Sequence, residues 1–264
     1  MTQRHHATPH GTRAGERTTS RRTFLRQGVL GLSGVLGAVG IGYWPRVSRA
    51  APPLRPPGAV TEEAFLGRCI KCGLCAQSCP VQAIRLGDMA MGFGIGTAHI
   101  ASREQSCGFS CDALECVRAC PTGALRHQVV KMPRTSARMG LAVLADPDAC
   151  LRRRTQPLQG LARQAGFQGR LRRRWGGAWQ VRALDRTVYE RESCDLCVLE
   201  CPIPQAIRMD SARPDPATGR LVPMPTVLAN CLGCGVCEMV CPTEPASIRI
   251  HPGLQPDQGS GSRT

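Results

Sequence analysis

Apolar residues occur along the chain in short runs, which polar, glycine-rich and proline-rich segments separate. The pattern predicts a short helix at 62–66, with two glutamates in its first turn, and a buried strand at 139–145. Further short apolar strands are predicted at Ala83–Leu86, Ala124–Arg126, Ala206–Met209 and Ser247–Ile250. Each of these four follows a Cys-Pro pair, so one unit of cysteine loop, turn and strand is repeated four times. These elements predict a loop-rich α+β fold.

Glycine and proline together number 50 of 264 residues, whereas aromatic residues make up 4%. Such a chain builds loops rather than a large aromatic core. We expect metal binding to supply folding energy and the metal-free chain to be largely unfolded. The pattern Gly92-x-Gly94-x-Gly96 has no flanking strand–helix–strand unit, which favours a tight surface loop over a nucleotide-binding loop. Residues 252–264 are predicted to be a disordered tail.

The first 50 residues have the pattern of an export signal. Arg21 and Arg22 form a twin-arginine motif, a weakly apolar stretch follows at 28–42, and Ser48–Ala50 is a small-x-small cleavage sequence. The apolar stretch is shorter than the roughly 20 residues that a spanning helix needs. Residues 1–50 are therefore predicted to be a cleaved twin-arginine signal peptide, with retention as an uncleaved anchor as the alternative. Because this route exports folded proteins, we expect a periplasmic protein that receives its metal in the cytoplasm.

The excess positive charge of the mature chain lies in one segment. Residues 51–264 contain 26 Lys and Arg against 18 Asp and Glu, and residues 151–193 alone contain eleven Arg against three acidic residues. An exported protein is not expected to bind nucleic acid, so the basic charge fits an acidic redox partner or anionic lipid headgroups at the membrane surface.

The segment 151–193 has two interpretations. It contains Trp175, Trp179 and a possible helical face at Leu158, Leu161, Ala162 and Ala165. It is either a solvated Arg-rich loop or a docking element, because Trp and Arg are enriched at binding hot spots.

Sixteen cysteines form four motifs, each of which ends in Cys-Pro. The first and fourth motifs have the C-x2-C-x2-C-x3-C-P spacing of bacterial ferredoxins, in which three thiolates bind one [4Fe-4S] cluster and the fourth binds the other cluster. The second motif is looser, and the third takes Cys150 as its distant first member. The sixteen candidate iron ligands are Cys69, Cys72, Cys75, Cys79, Cys107, Cys111, Cys116, Cys120, Cys150, Cys194, Cys197, Cys201, Cys231, Cys234, Cys237 and Cys241. They predict four [4Fe-4S] clusters.

Two other uses of the cysteines fit less well. Zinc usually takes two separated Cys-x2-Cys pairs, which is a different pattern. Disulfides are typical of exported chains with an even cysteine count, but these cysteines lie too close in sequence. The chain also shows no acid–base pair, nucleophile triad or open metal position. The pattern therefore predicts an electron carrier and not an enzyme.

The twin-arginine signal, the segments 54–59 and 137–144, and the four motifs in this order resemble the NapG/MauM family of periplasmic ferredoxin-type proteins. The resemblance implies four [4Fe-4S] clusters and a relay of single electrons. For the nitrate-type members it implies transfer from a membrane iron–sulfur quinol oxidase toward the cytochrome and reductase proteins of a periplasmic nitrate reductase system. The alternatives are an electron-transfer role in methylamine utilisation and a maturation factor for a partner enzyme.

The resemblance also implies how the cysteines pair. Similar four-cluster subunits nest the first motif with the fourth and the second with the third, as two nested two-cluster ferredoxin units. Carried over, the nested sets are Cys69/Cys72/Cys75/Cys241, Cys79/Cys231/Cys234/Cys237, Cys107/Cys111/Cys116/Cys201 and Cys120/Cys150/Cys194/Cys197. The chain departs from the family pattern in the three-residue spacer between Cys107 and Cys111 and in the 43 residues between Cys150 and Cys194.

Overall fold

A computed structural model describes residues 21–22, 25, 29–34 and 52–254. Residues 29–34 are helical, and no helix in these ranges is long and apolar enough to cross a bilayer. The chain divides into two compact parts, 1–50 and 51–264, and the elements below all belong to the second part. The predicted cleavage sequence and most of the predicted tail lie outside the described residues.

Residues 52–254 form short helices, short strands and connecting turns. The helices are α1 (Glu62–Arg68), α2 (Leu74–Gln77), α3 (Glu115–Arg118), α4 (Leu196–Leu199) and α5 (Val236–Met239). The strands are β1 (Ile84–Leu86), β2 (Ala98–Ile100), β3 (Gly140–Leu144), β4 (Leu158–Leu161), β5 (Arg170–Trp175), β6 (Ala178–Ala183), β7 (Val188–Arg191), β8 (Ile207–Pro214), β9 (Leu221–Val227) and β10 (Ile248–Pro252). Single 3-10 turns lie at Met89–Gly94, His127–Lys131, Arg134–Ala137 and Leu184–Arg186. The α+β, loop-rich character agrees with the sequence.

The strands pair in the same way in two halves of the chain. In the first half, β1 and β2 form an antiparallel hairpin after the first motif, and Leu125 after the second motif bridges back to Ala59 before the first. In the second half, β8 and β9 form the hairpin after the third motif, and β10 after the fourth pairs with β3. Each half is therefore a closed unit of two motifs, in which the chain after the second motif returns to the segment before the first, through one bridge in the first half and through β10 in the second.

The two units follow one another in sequence, so the predicted nested arrangement is wrong. Nesting requires the first motif to pack with the fourth, but the strand that follows the fourth motif pairs with β3, which precedes the third. The register joins Ile248 to Leu144 and Pro252 to Gly140. Antiparallel pairing along five residues fixes this closure, because a slip by one residue would turn the buried side chains to the other face.

Three of the four strands predicted after the Cys-Pro pairs form, as β1, β8 and β10, whereas Ala124–Arg126 makes only an isolated bridge at Leu125. The helix at 62–66 is α1, and the buried strand at 139–145 is β3. The proposed helical face at 158–165 does not exist, because residues 158–161 form β4 and pair with β7. Gly160 has φ +118, a conformation that an α-helix does not contain. Strand pairing of β4 with β7 and of β5 with β6 gives the segment 151–193 a hairpin architecture, and its buried Leu171 and Leu184 show that it is not a solvated loop.

Arg103 joins the two units. Its guanidinium donates hydrogen bonds to the carbonyl oxygens of Glu238 (2.6 Å), Cys241 (2.7 Å) and Thr243 (2.6 Å). The backbone N–H of Cys107 also donates to the carbonyl of Cys234 at 3.2 Å. The loop of the second motif therefore packs directly against that of the fourth, which brings the cysteines of the two units together.

Arg55 holds the lead-in segment to the first unit. Its guanidinium binds Glu62 through two contacts of 2.8 and 2.5 Å, donates to Thr97 Oγ1 and the Ala98 carbonyl, and stacks 4.6 Å from the Phe65 ring. The side chain of Arg55 is 8% exposed. Removing one partner of such a buried network leaves the other polar groups without compensation.

Replacing Arg55 with leucine is expected to destabilise the iron-loaded protein by about 1–3 kcal/mol, because the buried Thr97 hydroxyl and Ala98 carbonyl lose their donor while Glu62 stays partly solvated. The matched control is Arg85→Leu, whose ion pair with Glu104 is more than half exposed on both sides. The control is expected to cost about 1 kcal/mol or less. Thermal midpoints measured without oxygen check the difference, and equal midpoints for the two variants would contradict it.

Candidate metal centre

Each cysteine motif contains one short helix, and the third cysteine of the motif lies in its first turn. These cysteines are Cys75 in α2, Cys116 in α3, Cys197 in α4 and Cys237 in α5. In the first and fourth motifs the residue before the helix is a glycine with positive φ, Gly73 (φ +75) and Gly235 (φ +88). This left-handed residue turns the backbone sharply between the second and third cysteines, which favours glycine at this position.

Close backbone approach explains the glycines of the fourth motif. A Cβ on Gly235 would lie 2.5 Å from the Cβ of Ser102, and one on Gly233 would lie 2.5 Å from the backbone of Gly140. These positions place the fourth motif against the first unit on one side and against β3 on the other. A side chain at either position would force the cysteine loop away from its neighbours.

The structure brings the sixteen cysteines into four groups of four. Site 1 contains Cys69, Cys72, Cys75 and Cys120, which line one pocket of about 380 Å³. Site 2 contains Cys79, Cys107, Cys111 and Cys116. Site 3 contains Cys201, Cys231, Cys234 and Cys237, which interact electrostatically with one another. Site 4 contains Cys150, Cys194, Cys197 and Cys241, which together line a second pocket.

These groups replace the nested sets. Three cysteines of one motif meet the fourth cysteine of the other motif in the same unit. Cys241 lies with Cys150 and Cys194 and not with the first motif, and Cys120 lies with the first motif and not with the third. The hairpins β1–β2 and β8–β9 are the physical reason, because each returns the chain to its own unit before the next motif begins.

The four sites form a continuous series. Burial raises the pKa of Cys116 in site 2, and two cysteines of the same site, Cys111 and Cys79, raise it further. Cys75 of the neighbouring site 1 also raises this pKa, so sites 1 and 2 adjoin. Sites 2 and 3 meet where the N–H of Cys107 contacts the carbonyl of Cys234.

Sites 3 and 4 adjoin through Cys237 of site 3. Its pKa is raised by burial, then by Cys234 and Cys231 of the same site, and also by Cys197 of site 4. We call sites 1 and 4 the outer sites and sites 2 and 3 the inner sites.

The extra residue in the second motif is absorbed by local backbone geometry. Gly108 (φ +59) and Phe109 (φ +48) both take left-handed conformations between Cys107 and Cys111. The Phe109 side chain is buried, and its carbonyl accepts a hydrogen bond of 3.0 Å from Arg134. The longer spacer therefore still brings Cys107 and Cys111 to the same site.

Most of the cysteine thiols in these sites have a raised pKa, so they do not ionise readily by themselves. Burial is the largest cause that raises the pKa of Cys75 and Cys194 to about 11 and of Cys111 and Cys234 to about 12, and neighbouring cysteines add to the rise at Cys75, Cys194 and Cys234. At Cys120 burial is outweighed by backbone hydrogen bonds at Leu125 and Thr122, which lower its pKa. Crowded thiols of this kind require a positive charge at their centre in order to ionise together.

The donor set fits [4Fe-4S] clusters. Each site offers four sulfur ligands, and cysteine thiolates are the usual ligands of such clusters. Within residues 52–254, no three His, Cys, Asp or Glu side chains converge closely enough to bind a single metal ion. The backbone N–H of Ala83 donates to Cys79 Sγ at 3.3 Å, and that of Ala142 lies 3.5 Å from Cys231 Sγ. Such N–H···S bonds stabilise thiolate ligands and tune their clusters.

Glu200 is a buried charged residue that the sequence analysis did not identify. It directly precedes Cys201, and its side chain is 3% exposed. Arg173, Arg182 and the Tyr189 hydroxyl all contact its carboxylate. The sequence signal was weak, because an acidic residue beside a cysteine motif is usually solvent-exposed.

Two sequential two-motif units with four all-cysteine sites define a ferredoxin-type iron–sulfur protein. The 4Fe-4S dicluster domain family matches residues 68–152 and 191–244. The chain is 35% identical to the ferredoxin-type protein NapG of Escherichia coli K12 over 91% of this chain and 89% of the relative. It is 32% identical to the methylamine utilization ferredoxin-type protein MauM of Methylorubrum extorquens over 90% of this chain and 92% of the relative.

The chain belongs to the NapG/MauM family of ferredoxin-type proteins. It is accordingly an iron–sulfur electron-transfer protein that carries [4Fe-4S] clusters, and not an enzyme. No solved structure matches the chain.

Acidification is expected to release iron from the protein. Protons compete with iron for thiolates, and a raised thiol pKa favours the protonated form at any given pH. Iron loss should therefore increase as the pH falls from about 9 to about 5 and should not increase in the alkaline direction. Visible absorbance of the clusters, recorded without oxygen across this range, measures the loss. Greater loss at the alkaline end would contradict the expected sign.

Proposed function

We propose that this protein relays single electrons through four [4Fe-4S] clusters held by the cysteines of sites 1 to 4. The observation that carries the proposal is the continuous series of four all-cysteine sites. When bound, a [4Fe-4S] cluster accepts and releases one electron without a change in its ligands. A chain of such sites needs no substrate pocket, which agrees with closed ligand sets at every site.

The protein residues would bind the clusters, keep water away from the inner sites and leave site 1 accessible to a redox partner. Five of the eight inner cysteines are buried and none is exposed, whereas Cys72 of site 1 is exposed. Ile70 and Leu74 beside Cys72 are also exposed, at 64% and 44%. Basic Arg68 and Lys71 flank this loop. Site 1 is therefore suited to exchange electrons with a partner that presents an apolar surface with acidic groups at its rim.

The role in nitrate reduction is our first candidate for the pathway. The chain is slightly more similar to NapG of E. coli, at 35% identity, than to MauM of M. extorquens, at 32%. Its partners would then be a membrane iron–sulfur quinol oxidase and the cytochrome and reductase proteins of a periplasmic nitrate reductase system. The twin-arginine motif at Arg21 and Arg22 supports export in the folded state, followed by function in the periplasm or at the surface of the inner membrane.

The second candidate is a role in methylamine utilisation, which the similarity to MauM favours. This role would be either electron transfer or maturation of methylamine dehydrogenase. Addition of a donor and an acceptor separates these possibilities. The clusters of an electron carrier are reduced and reoxidised at rates that match turnover, whereas those of a maturation factor need not be.

Anaerobically purified protein is expected to contain about sixteen iron and about sixteen sulfide per chain, as four [4Fe-4S] clusters require. EPR spectra before and after reduction with dithionite should show interacting reduced clusters, because the sites adjoin. About twelve iron would show that one site is empty, and would reduce the proposal to three clusters. Zinc or disulfides in place of iron would overturn it.

Serine substitution tests how the cysteines pair. In Cys120→Ser the protein should lose ligation at site 1, so that Cys69, Cys72 and Cys75 become reactive to an alkylating agent. The matched variant Cys241→Ser should release Cys150, Cys194 and Cys197 instead. Anaerobic alkylation followed by mass spectrometry identifies the released thiols. Release of the first-motif cysteines by Cys241→Ser would restore the nested pairing and refute the sequential one.

A further inference from the structure

The segment 151–193 lies across the loops that carry the inner sites. Gln105 fixes its strand β5 by two reciprocal bonds with the backbone of Arg170, each 2.9 Å long. Two residues after Arg170, Arg172 donates a hydrogen bond of 2.6 Å to the carbonyl of Ser110, which lies between Cys107 and Cys111. The hairpin is therefore attached to the backbone of the second motif.

The end of the β5–β6 hairpin is attached to the same motif. The carboxylate of Asp112 accepts hydrogen bonds from Trp179 at 3.0 Å and from Arg174 at 3.2 Å. The guanidinium of Arg172 lies 4.5 Å from the centre of the Trp179 ring, within the range of a cation–π interaction. Trp179 and these arginines, for which the sequence left open a solvated loop or a docking element, thus make contacts inside the protein.

A buried carboxylate attaches the hairpin to the third motif. Glu200 Oε2 lies 3.0 Å from Arg173, and Glu200 Oε1 lies 2.5 Å from Arg182 and 2.9 Å from the Tyr189 hydroxyl. Arg173 also donates to the Glu200 carbonyl at 2.5 Å. A carboxylate that is 3% exposed is stable only with such partners, so these contacts act as one unit.

The hairpin closes the gap between the two inner sites. A small pocket is lined by Cys107 and Ser110 of the second motif, Val236 of the fourth, Arg172 and Arg173 of the hairpin, and Glu200. Residues from both inner-site loops therefore share one space beneath the hairpin. Among the residues that the structure describes, Cys72 of site 1 is by contrast exposed.

We propose that the β5–β6 hairpin of residues 151–193 forms a fixed cover over inner sites 2 and 3, so that electrons enter and leave at the outer sites, above all at site 1 with its exposed Cys72. This inference rests on the proposed function. The cover excludes water and foreign redox proteins from the middle of the series. Its arginines are held in internal contacts, so the segment acts as a lid fixed in place and not as a free basic patch.

The experiment compares two variants that weaken the Glu200 contacts with a control. Glu200→Gln removes the buried charge, and Arg182→Gln removes one of its partners while leaving residues next to the cysteines unchanged. The control is Arg186→Gln, an exposed arginine of the same segment. All three are prepared as the iron-loaded full chain.

The first readout is iron transfer to a soluble chelator without oxygen. The wild type and the control should lose iron in two phases, a fast phase from the outer sites and a slow phase from the covered sites. In Arg182→Gln and Glu200→Gln the slow phase should accelerate at least about tenfold, because loss of a buried charge partner raises the population of the open cover. Equal acceleration of both phases would indicate general destabilisation and would overturn the proposal.

The second readout is the relaxation of cluster EPR signals by a soluble dysprosium chelate. In the wild type the chelate should relax the signals of the outer sites more strongly than those of the inner sites. In the two variants the inner signals should become equally sensitive. Inner signals that are already fully relaxed in the wild type would refute the cover. Absence of iron from the wild type would refute the proposed function itself, so the two failures are distinguishable.

Discussion

The gathering of sixteen thiols into four crowded sites is the constraint on which the rest of the structure depends. Burial and mutual proximity raise the pKa of most of these thiols, so their thiolates are unstable together without a positive charge between them. Iron supplies that charge, and the free energy of cluster binding becomes free energy of folding. The protein can therefore consist of very short helices and strands, which would not hold a fold of this size by packing alone.

The strands determine which cysteines meet. In each unit a hairpin returns the chain after one motif, and the end of the unit closes against the segment before that motif, by the Ala59–Leu125 bridge in the first and by β10 with β3 in the second. This closure gives two sequential two-motif units, each with two groups of four cysteines. Arg103 and the contact between Cys107 and Cys234 then join the units, which converts two pairs of sites into one series of four.

The segment 151–193 shows how composition and position can suggest different roles. Its eleven arginines suggested a solvated loop or a docking surface. In the structure, Arg170, Arg172 and Arg173 bind backbone and carboxylate groups of the motif loops, and Glu200 has three polar partners. The positive charge thus lies beside sites whose bound clusters would be rich in negative thiolates. An insertion at the long gap of the third motif has become part of the enclosure of the inner sites.

The sequence alone determined the chemistry and the number of candidate ligands, because ferredoxin spacing and the Cys-Pro repeat are local properties of the chain. It also determined the helix before Cys69 and the buried strand before Cys150, since both follow from short patterns of apolar residues. Only the tertiary structure decided the partners of Cys120 and Cys241, because every motif has the same ending and local spacing cannot distinguish among them. Only the tertiary structure revealed the role of Glu200 and the strand at Leu158, because both depend on residues that meet through the β4–β7 and β5–β6 pairings.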